Sequence, residues 1–265
     1  MKYCRFQLND QEHYGLVETL AGQDAITRVL LEAPESGGDV EDVPTKAIPH
    51  VSLADAKLLI PVRPSKIVCV GRNYRAHAAE LGNEVPQEPL IFFKPPSSLL
   101  APGESILRPK MSQRTDYEGE LGVVIGRRCH KPSADENVRS YILGYTVVND
   151  FTARDIQKQD SQWTRGKGFD TFCPVGPVVS NEIDPWAGVS VETRVNGDLR
   201  QQGNTRDFIF PLDVIVRYIA NVMTLWPGDL IATGTPEGVG PVVSGDVVEV
   251  TVEGVGTLRN PVRDE

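Results

Sequence analysis

Short apolar segments recur along this chain, and nearly all of them are bounded by glycine, proline or asparagine. Such segments lie at residues 66–71, 120–126, 141–150, 174–180, 189–197, 229–234 and 246–254. Their length, their valine and isoleucine content and their turn-forming neighbours are typical of β-strands. Glycine (24 residues) and proline (20 residues) both exceed average usage, which favours short strands joined by many turns. The sequence therefore predicts a β-rich fold with few helices.

Within residues 61–265, two segments have a pattern that predicts a helix. Residues 211–225 carry apolar side chains at helical spacing and end at a Pro-Gly pair. Asn73 is predicted to cap a short helix that runs to Leu81, with Gly82 as its left-handed stop. Between two of the strand segments, Asn196 and the glycine after it predict a tight hairpin turn.

The chain is predicted to divide into a small N-terminal region, residues 1–60, and a main domain, residues 61–265. The first region is polar and irregular, with a loop-like stretch at 33–49 and a modest helical pattern around 53–59. Residues 82–116 are rich in proline and glycine and have little periodicity, which predicts a long, partly mobile connection.

Charge and composition exclude several classes of protein. The chain has 27 basic and 36 acidic side chains and a net charge of −9, without a basic cluster, so a nucleic-acid partner is not expected. No apolar run reaches the ~18 residues of a membrane helix, and the first residues lack a secretory pattern, so we expect a cytosolic protein. The four cysteines have no C-x-x-C spacing and are predicted to be reduced thiols.

Two glutamates interrupt an otherwise apolar strand, in the segment DYEGELGVVIG at 116–126. Side chains two residues apart on a strand point the same way, so Glu118 and Glu120 are predicted to project together from one face. Two buried like charges repel unless a cation lies between them, and small Gly119 and Gly122 leave room around the carboxylates. The alternative is a solvated strand face with incidental acids, because glutamate is usually exposed.

A third acid, Asp150, ends the apolar segment 141–150. By itself this aspartate is more often a turn residue than a ligand. Together with Glu118 and Glu120 it forms an oxygen-only set without histidine or thiolate, which suits Mg²⁺ or Mn²⁺ rather than zinc.

His77 and Glu80 are three residues apart on the predicted short helix and so share a face. A carboxylate can fix the tautomer of an imidazole and raise its basicity toward a bound water, although two polar residues on a surface helix are the commoner explanation. Lys167 has glycine neighbours that permit close approach of a ligand, but most such lysines are solvated. The segment GTPEGVG at 234–240 lacks the ending of a phosphate loop, so it does not indicate nucleotide binding.

The order of several motifs is more informative than any one of them. The motifs are GRNYRAHAAELG, FFKPPSSL, DYEGELGVVIG, VVNDFTARDIQ, GKGFDTFCPVGP and GDLIATGTPEGVGPV. Over about residues 60–262 the chain closely resembles the fumarylacetoacetate hydrolase family, in particular its acylpyruvate hydrolase and 5-carboxymethyl-2-hydroxymuconate isomerase/decarboxylase branch. Residues 1–60 resemble the variable N-terminal region of longer bacterial members. The resemblance implies a mixed α+β fold built on a sandwich-like β-roll, usually assembled as a homodimer.

The resemblance also implies roles for residues that match the family motifs. It implies that a divalent cation, Mg²⁺ or Mn²⁺ with Ca²⁺ as a further alternative, is bound by Glu118, Glu120 and Asp150. It implies a catalytic dyad of His77 and Glu80 on a lid-like segment, and a lysine at the reacting oxygen, Lys167. The residues that it implies for substrate binding are Arg154, Gln157 and Thr235.

The implied reaction begins with a 2-oxo acid that chelates the cation through its carboxylate and keto oxygens. In a 2,4-dioxo acid, water activated by His77 and Glu80 attacks the distal carbonyl, and cleavage releases an enolate whose charge the cation and Lys167 stabilise. We therefore expect hydrolysis of a C–C bond in such acids. Oxaloacetate decarboxylation and 2-hydroxymuconate isomerisation use the same intermediate and stay open, as does a 2-oxo acid binding protein without catalysis.

Overall fold

The computed structural model of the chain describes residues 1–36 and 40–265, which contain twenty β-strands and four α-helices. The strands are β1 (Lys2–Leu8), β2 (Gln11–Leu20), β3 (Gln23–Leu30), β4 (Thr45–Ser52), β5 (Leu58–Leu59), β6 (Ile67–Gly71), β7 (Leu90–Lys94), β8 (Leu99–Leu100), β9 (Ile106–Arg108), β10 (Thr115–Tyr117), β11 (Gly119–Ile125), β12 (Ile142–Asn149), β13 (Thr152–Ala153), β14 (Cys173–Ser180), β15 (Ser190–Val195), β16 (Asp198–Asn204), β17 (Leu230–Ala232), β18 (Gly240–Val242), β19 (Val247–Val252) and β20 (Gly256–Asp264). The helices are α1 (Arg75–Glu80), α2 (Arg154–Gln159), α3 (Thr164–Lys167) and α4 (Leu212–Val222). The predicted β-rich fold with few helices is confirmed.

The strands form three sheets. The largest has twelve strands, ten of them in the order β4-β3-β2-β1-β14-β12-β11-β17-β6-β7, with β5 paired to β1 and β8 paired to β14. A five-stranded sheet has the order β16-β15-β19-β20-β9, and a three-stranded sheet has the order β13-β10-β18. The main core lies where β11, β12 and β14 pack against β15, β19 and β20.

The N-terminal region is not irregular, and the expectation of a helix around 53–59 is wrong. Strand β1 alternates between buried and partly exposed positions and pairs with β14, with Tyr3 opposite Val179. Residues 53–55 form a turn, after which β5 pairs with β1. Tyr3 and Phe6 are buried in the core, so these strands are held by apolar packing as well as by hydrogen bonds. The boundary at residue 60 stays a prediction.

Both predicted connections, residues 33–49 and 82–116, contain β-strands. Residues 82–116 contain β7, β8, β9 and most of β10, so the expectation of one long connection is wrong, and its partial mobility stays a prediction. These short strands pair mostly with strands that are distant in the chain, namely β6, β14, β20, β13 and β18. Local periodicity therefore does not reveal the short strands. The predicted loop at 33–49 contains the start of β4, and its residues 37–39 lie outside the described part.

The remaining local predictions are confirmed in all but one case. Strand β15 turns into β16 through Asn196 and Gly197, whose φ angles are +54° and +86°. Helix α4 occupies most of 211–225, and Gly82 adopts a φ of +68° after α1. Asn73 does not cap α1, because its side chain instead binds the backbone of Phe210 and Thr233.

The four cysteines are buried free thiols, as expected. Within residues 1–36 and 40–265, no helix combines the length and the apolar character that crossing a membrane requires.

Candidate metal centre and active site

The three predicted metal ligands meet where β11 begins and β12 ends. Glu118 immediately precedes β11, Glu120 lies within it, and Asp150 follows β12. The two strands are antiparallel, and the Asp150 amide donates to the Glu118 carbonyl at 2.8 Å, which brings the third acid beside the first. All three side chains are buried, and one oxygen from each lies within 4.8 Å of the others.

The electrostatic environment differs sharply among these acids. Burial opposes ionisation of Glu118, but the charges of Lys167 and Arg154 outweigh it and hold its pKa well below the usual range. Burial raises the pKa of Glu120 well above its usual value, and the negative charges of Asp150 and Glu118 raise it further. Among the described residues Glu120 has no ion-pair partner, and its only hydrogen bond comes from the Gly234 amide at 2.8 Å.

The donor set fits a divalent cation. Three carboxylates that converge without histidine or cysteine form a hard, oxygen-only site. A cation among them would offset the repulsion between the carboxylates that raises the pKa of Glu120. We therefore take Glu118, Glu120 and Asp150 as the residues that could hold the metal.

Two buried lysines lie against the carboxylates. The Lys167 ammonium is 2.8 Å from a Glu118 oxygen and 2.6 Å from an Asp150 oxygen, and it belongs to α3. Burial disfavours its charged form, but Asp150 and Glu118 outweigh burial and raise the pKa of Lys167. Lys94, at the end of β7, is 2.6 Å from the other Asp150 oxygen and 3.0 Å from the Phe151 carbonyl.

Arg154 connects this centre to a second acid. Its guanidinium contacts Asp116 at 2.8 Å and Glu118 at 2.5 Å and donates to the Gln157 amide oxygen at 2.7 Å. Asp116 is fully buried and also binds Arg114 through Nε and Nη2. Arg154 is thus fixed in place beside the metal ligands, and its role toward substrate stays a prediction.

Helix α1 carries the predicted histidine–glutamate pair. His77 Nδ1 lies 3.3 Å from Glu80 Oε2, and Glu80 also accepts from the Gly238 amide at 3.1 and 3.2 Å. A proton on Nδ1 would be shared with Glu80, which leaves Nε2 as an acceptor. The imidazole is buried and lines the same cavity as the three carboxylates.

Thr235 supports the strand between the two glutamates. Its hydroxyl donates to the Gly119 carbonyl at 2.9 Å and accepts from the Gln201 amide at 2.7 Å. Both contacts are buried, so the TGTP turn is held firmly against the start of β11.

A single cavity of about 550 Å³ brings all nine predicted site residues together. They are His77, Glu80, Glu118, Glu120, Asp150, Arg154, Gln157, Lys167 and Thr235. The structure thus supports their proximity, whereas their chemical roles stay predictions.

Sequence reasoning missed five charged residues of this site. They are Arg72, Lys94, Arg114, Asp116 and Lys158. Lys94 lies in the quoted motif FFKPPSSL, and its only signal is a lysine directly after an apolar strand, a position at which lysines are usually solvated.

Comparison with known proteins identifies the family. The family model described as fumarylacetoacetate (FAA) hydrolase C-terminal matches residues 66–263, and the one described as Rv2993c-like, N-terminal matches residues 1–61. The chain belongs to the fumarylacetoacetate hydrolase family. The expectation drawn from the ordered motifs is confirmed.

Relatives within the fumarylacetoacetate hydrolase family have several activities in their names. Oxaloacetate tautomerase YisK of Bacillus subtilis is 43% identical over 225 residues, which cover 80% of this chain and 74% of that protein. The 2,4-didehydro-3-deoxy-L-rhamnonate hydrolase of a Sphingomonas species is 38% identical and covers 100% of this chain and 96% of its own. The crystal structure of 5-carboxymethyl-2-hydroxymuconate delta-isomerase from Mycobacterium smegmatis has a TM-score of 0.89, with 40% identity over 100% of both chains. The family's enzymes thus include hydrolases, isomerases and tautomerases.

Proposed function

We propose that this protein is a hydrolase, dependent on Mg²⁺ or Mn²⁺, that cleaves a carbon–carbon bond in 2,4-dioxo acids. The observation that carries the proposal is one cavity holding three converging carboxylates, a buried lysine and a histidine–glutamate pair. A cation held by Glu118, Glu120 and Asp150 would supply Lewis-acid stabilisation to the adjacent carboxylate and keto oxygens of a 2-oxo acid.

The histidine–glutamate pair provides the base. His77 takes a proton from water at Nε2 while Glu80 holds Nδ1–H, and the resulting hydroxide attacks the distal carbonyl carbon. The bond between that carbon and its neighbour then breaks, and its electron pair forms the enolate of pyruvate. The proton on His77 returns to the enolate carbon, so the products are pyruvate and a carboxylic acid.

Lys167 and Arg154 shape the charge around this reaction. We assign to the Lys167 ammonium, which contacts Glu118 and Asp150, the stabilisation of the negative charge that develops on the enolate oxygen. Arg154 fixes Glu118 by a charge-assisted contact at 2.5 Å.

The test is a parallel assay of chelator-treated protein with acetylpyruvate, oxaloacetate and a 2-hydroxymuconate, with and without Mg²⁺. We expect Mg²⁺-dependent loss of the acetylpyruvate absorbance, with one ¹⁸O from labelled water in the released acetate. H77N should lower kcat by ~10²- to 10⁴-fold. The matched control is H130N, because His130 is exposed and contacts Thr224 outside the cavity. Turnover of oxaloacetate alone would overturn C–C hydrolysis.

A second candidate is isomerisation, tautomerisation or decarboxylation of an oxo dicarboxylate on the same residues. The similarity to YisK and to the delta-isomerase supports it, because proton transfer between carbon and oxygen needs the same base but no attacking water. Oxaloacetate keto–enol equilibration or CO₂ release without ¹⁸O incorporation would favour it. A melting temperature raised by Mg²⁺ and oxalate without any turnover would favour a binding protein instead.

A further inference from the structure

Helix α1, which carries His77 and Glu80, has little apolar packing to hold it. It is six residues long, and two of them, His77 and Ala78, are buried. Such a short buried face stabilises a helix much less than a full apolar stripe does. Asn73 fixes the chain before the helix. At the other end of the helix, the Glu80 carboxylate accepts from the Gly238 amide, so the position of α1 relative to the cavity depends on where Gly238 lies.

Gly238 is held by two contacts that lie outside the cavity. Its carbonyl accepts a hydrogen bond from the Tyr117 hydroxyl at 2.8 Å. Its α-carbon packs against β16, where an added Cβ would lie 2.0 Å from the Arg200 carbonyl oxygen, and its φ is +96°. Glycine suits both this backbone angle and this close approach. The direction of the amide that meets Glu80 is therefore set from outside the cavity.

Tyr117 connects this turn to the strand that leads into the candidate metal centre. It ends β10, directly precedes Glu118 and pairs with Gly240 of β18. The residue is 3% exposed and does not line the cavity of the carboxylates. Its hydroxyl can therefore affect the reaction only through the residue that it binds, Gly238.

The beginning of the same turn is held independently of Tyr117. Buried Gln201 donates to the Thr235 hydroxyl at 2.7 Å and to the Pro236 carbonyl at 2.8 Å. Loss of the Tyr117 hydroxyl should therefore leave these contacts in place and loosen the turn at Gly238.

We propose that Tyr117 is a positioning residue for the histidine–glutamate pair and acts through Gly238. The hydroxyl fixes the Gly238 carbonyl, and the Gly238 amide fixes the Glu80 carboxylate. Glu80 in turn fixes the His77 imidazole at 3.3 Å. The proposal rests on the proposed function, because His77 is taken as the base.

The first test measures hydrogen exchange of the peptide that covers residues 75–83 in the metal-free protein. Y117F removes the hydroxyl and keeps the buried ring. Where exchange follows the opening equilibrium, this peptide should exchange roughly 3- to 10-fold faster, the effect of one hydrogen bond, while α4 stays unchanged. Y14F is the matched control, because the Tyr14 hydroxyl donates to Glu35 at 2.7 Å and does not line the cavity.

The second test is a double-mutant cycle on the magnesium-loaded enzyme with acetylpyruvate, or with oxaloacetate if that is the acid turned over. Y117F should lower kcat roughly 3- to 10-fold and leave KM and the Kd of oxalate nearly unchanged, because the carboxylate trio is not altered. In an E80A background, Y117F should have no further effect, since the carboxylate through which it acts is gone.

A second variant perturbs the same point from the side of β16. G238A places a methyl group against the Arg200 carbonyl, so the turn must shift, and it should give the same pattern of faster exchange and lower kcat. The proposal can therefore be tested with G238A if Y117F does not fold.

The outcomes separate this proposal from the proposed function. Wild-type exchange of residues 75–83 in both variants would show that Gly238 does not hold α1. Faster exchange with wild-type kcat would refute the positioning role, and an equal effect of Y117F with and without Glu80 would show that Tyr117 acts by another route. A wild type that turns over none of the acids would refute the proposed function, and the exchange measurement would still decide whether Tyr117 holds α1.

Discussion

Gly119, the residue between the first two candidate metal ligands, is predicted to be irreplaceable for a steric reason. Glu118 and Glu120 point to one face of β11, so Gly119 faces the other side, where the five-stranded sheet packs. A Cβ at Gly119 would lie 2.1 Å from the Thr193 hydroxyl oxygen and 2.8 Å from a methyl carbon of Val250. Both neighbours lie on strands of the second sheet, so relief of the overlap requires the sheets to separate locally.

The expected cost of G119A follows from these two overlaps. Overpacking in a core usually costs about 1–3 kcal/mol, and two contacts below 3.0 Å against strands place this variant near the upper end. For a chain of this size, about 3 kcal/mol corresponds to a fall in melting temperature of roughly 6–12 °C. Because the displaced strand carries Glu118 and Glu120, the stabilisation by Mg²⁺ should fall as well.

A double-mutant cycle tests the steric explanation. T193A removes the hydroxyl oxygen at 2.1 Å, so G119A/T193A should recover a large part of the stability that G119A loses. G240A is the control, because its Cβ would contact the Tyr117 side chain no closer than 3.0 Å, at the hydroxyl oxygen, and should cost little. Urea unfolding followed by circular dichroism, with and without Mg²⁺, gives the free energies. Wild-type stability of G119A, or no recovery in the double variant, would refute the reasoning.

Three further predictions concern the same centre. K94M removes one of the two buried lysines that bind Asp150 and should lower the free energy of unfolding in urea by about 3 kcal/mol, the lower end of the range for breaking a buried ion pair, because Lys167 still contacts the other carboxylate oxygen. Exposed K110M should have no such effect. Folding raises the pKa of Glu120, so the folded state binds its proton more tightly than the unfolded state does. The metal-free protein should therefore lose stability as the pH rises above the usual pKa of glutamate and through the raised pKa of Glu120. Added Mg²⁺ should therefore raise the melting temperature increasingly with pH, and E120Q should abolish both trends. N73A releases the loop before α1 and should lower kcat more than it changes oxalate affinity, whereas equal losses of both would contradict this positioning role.

The sequence predicts the carboxylate trio because the geometry of single strands determines where these side chains point. Glu118 and Glu120 are two residues apart beside a buried strand, so their common face follows from the period of a strand alone. Asp150 ends the neighbouring strand, and antiparallel pairing then places it beside Glu118. No long-range information beyond that one pairing is needed.

The role of Gly119 shows where local reasoning fails. The sequence suggests that this glycine leaves room around the carboxylates, but its α-carbon faces Thr193 and Val250 on the opposite side. The true constraint comes from a sheet more than 70 residues away in the chain, which no local pattern encodes. Lys94 was missed for the same reason, since only its contact with Asp150, at 2.6 Å, distinguishes it from a solvated lysine.

The N-terminal strands were missed because their apolar pattern is weak. In β2 only Gly15 and Val17 are fully buried, so most of its side chains are polar or half-exposed. Its stability comes from pairing with β1, which in turn pairs with β14 about 175 residues later. The backbone N–H and C=O groups of a polar strand in the outer part of a sheet are hydrogen-bonded to its neighbouring strands. Such a strand can therefore form with few buried apolar side chains.

The two buried lysines change how a cation and a substrate should affect each other. Lys167 spans Glu118 and Asp150 while Lys94 holds the other Asp150 oxygen, so the carboxylates are partly neutralised before any metal binds. A divalent cation must enter against these positive charges, and it leaves the centre with an excess of positive charge. An anionic ligand removes that excess, and its carboxylate and keto oxygens offer the cation further ligands. We therefore expect metal and anion to strengthen each other's binding, and by linkage the two increases in affinity should be equal.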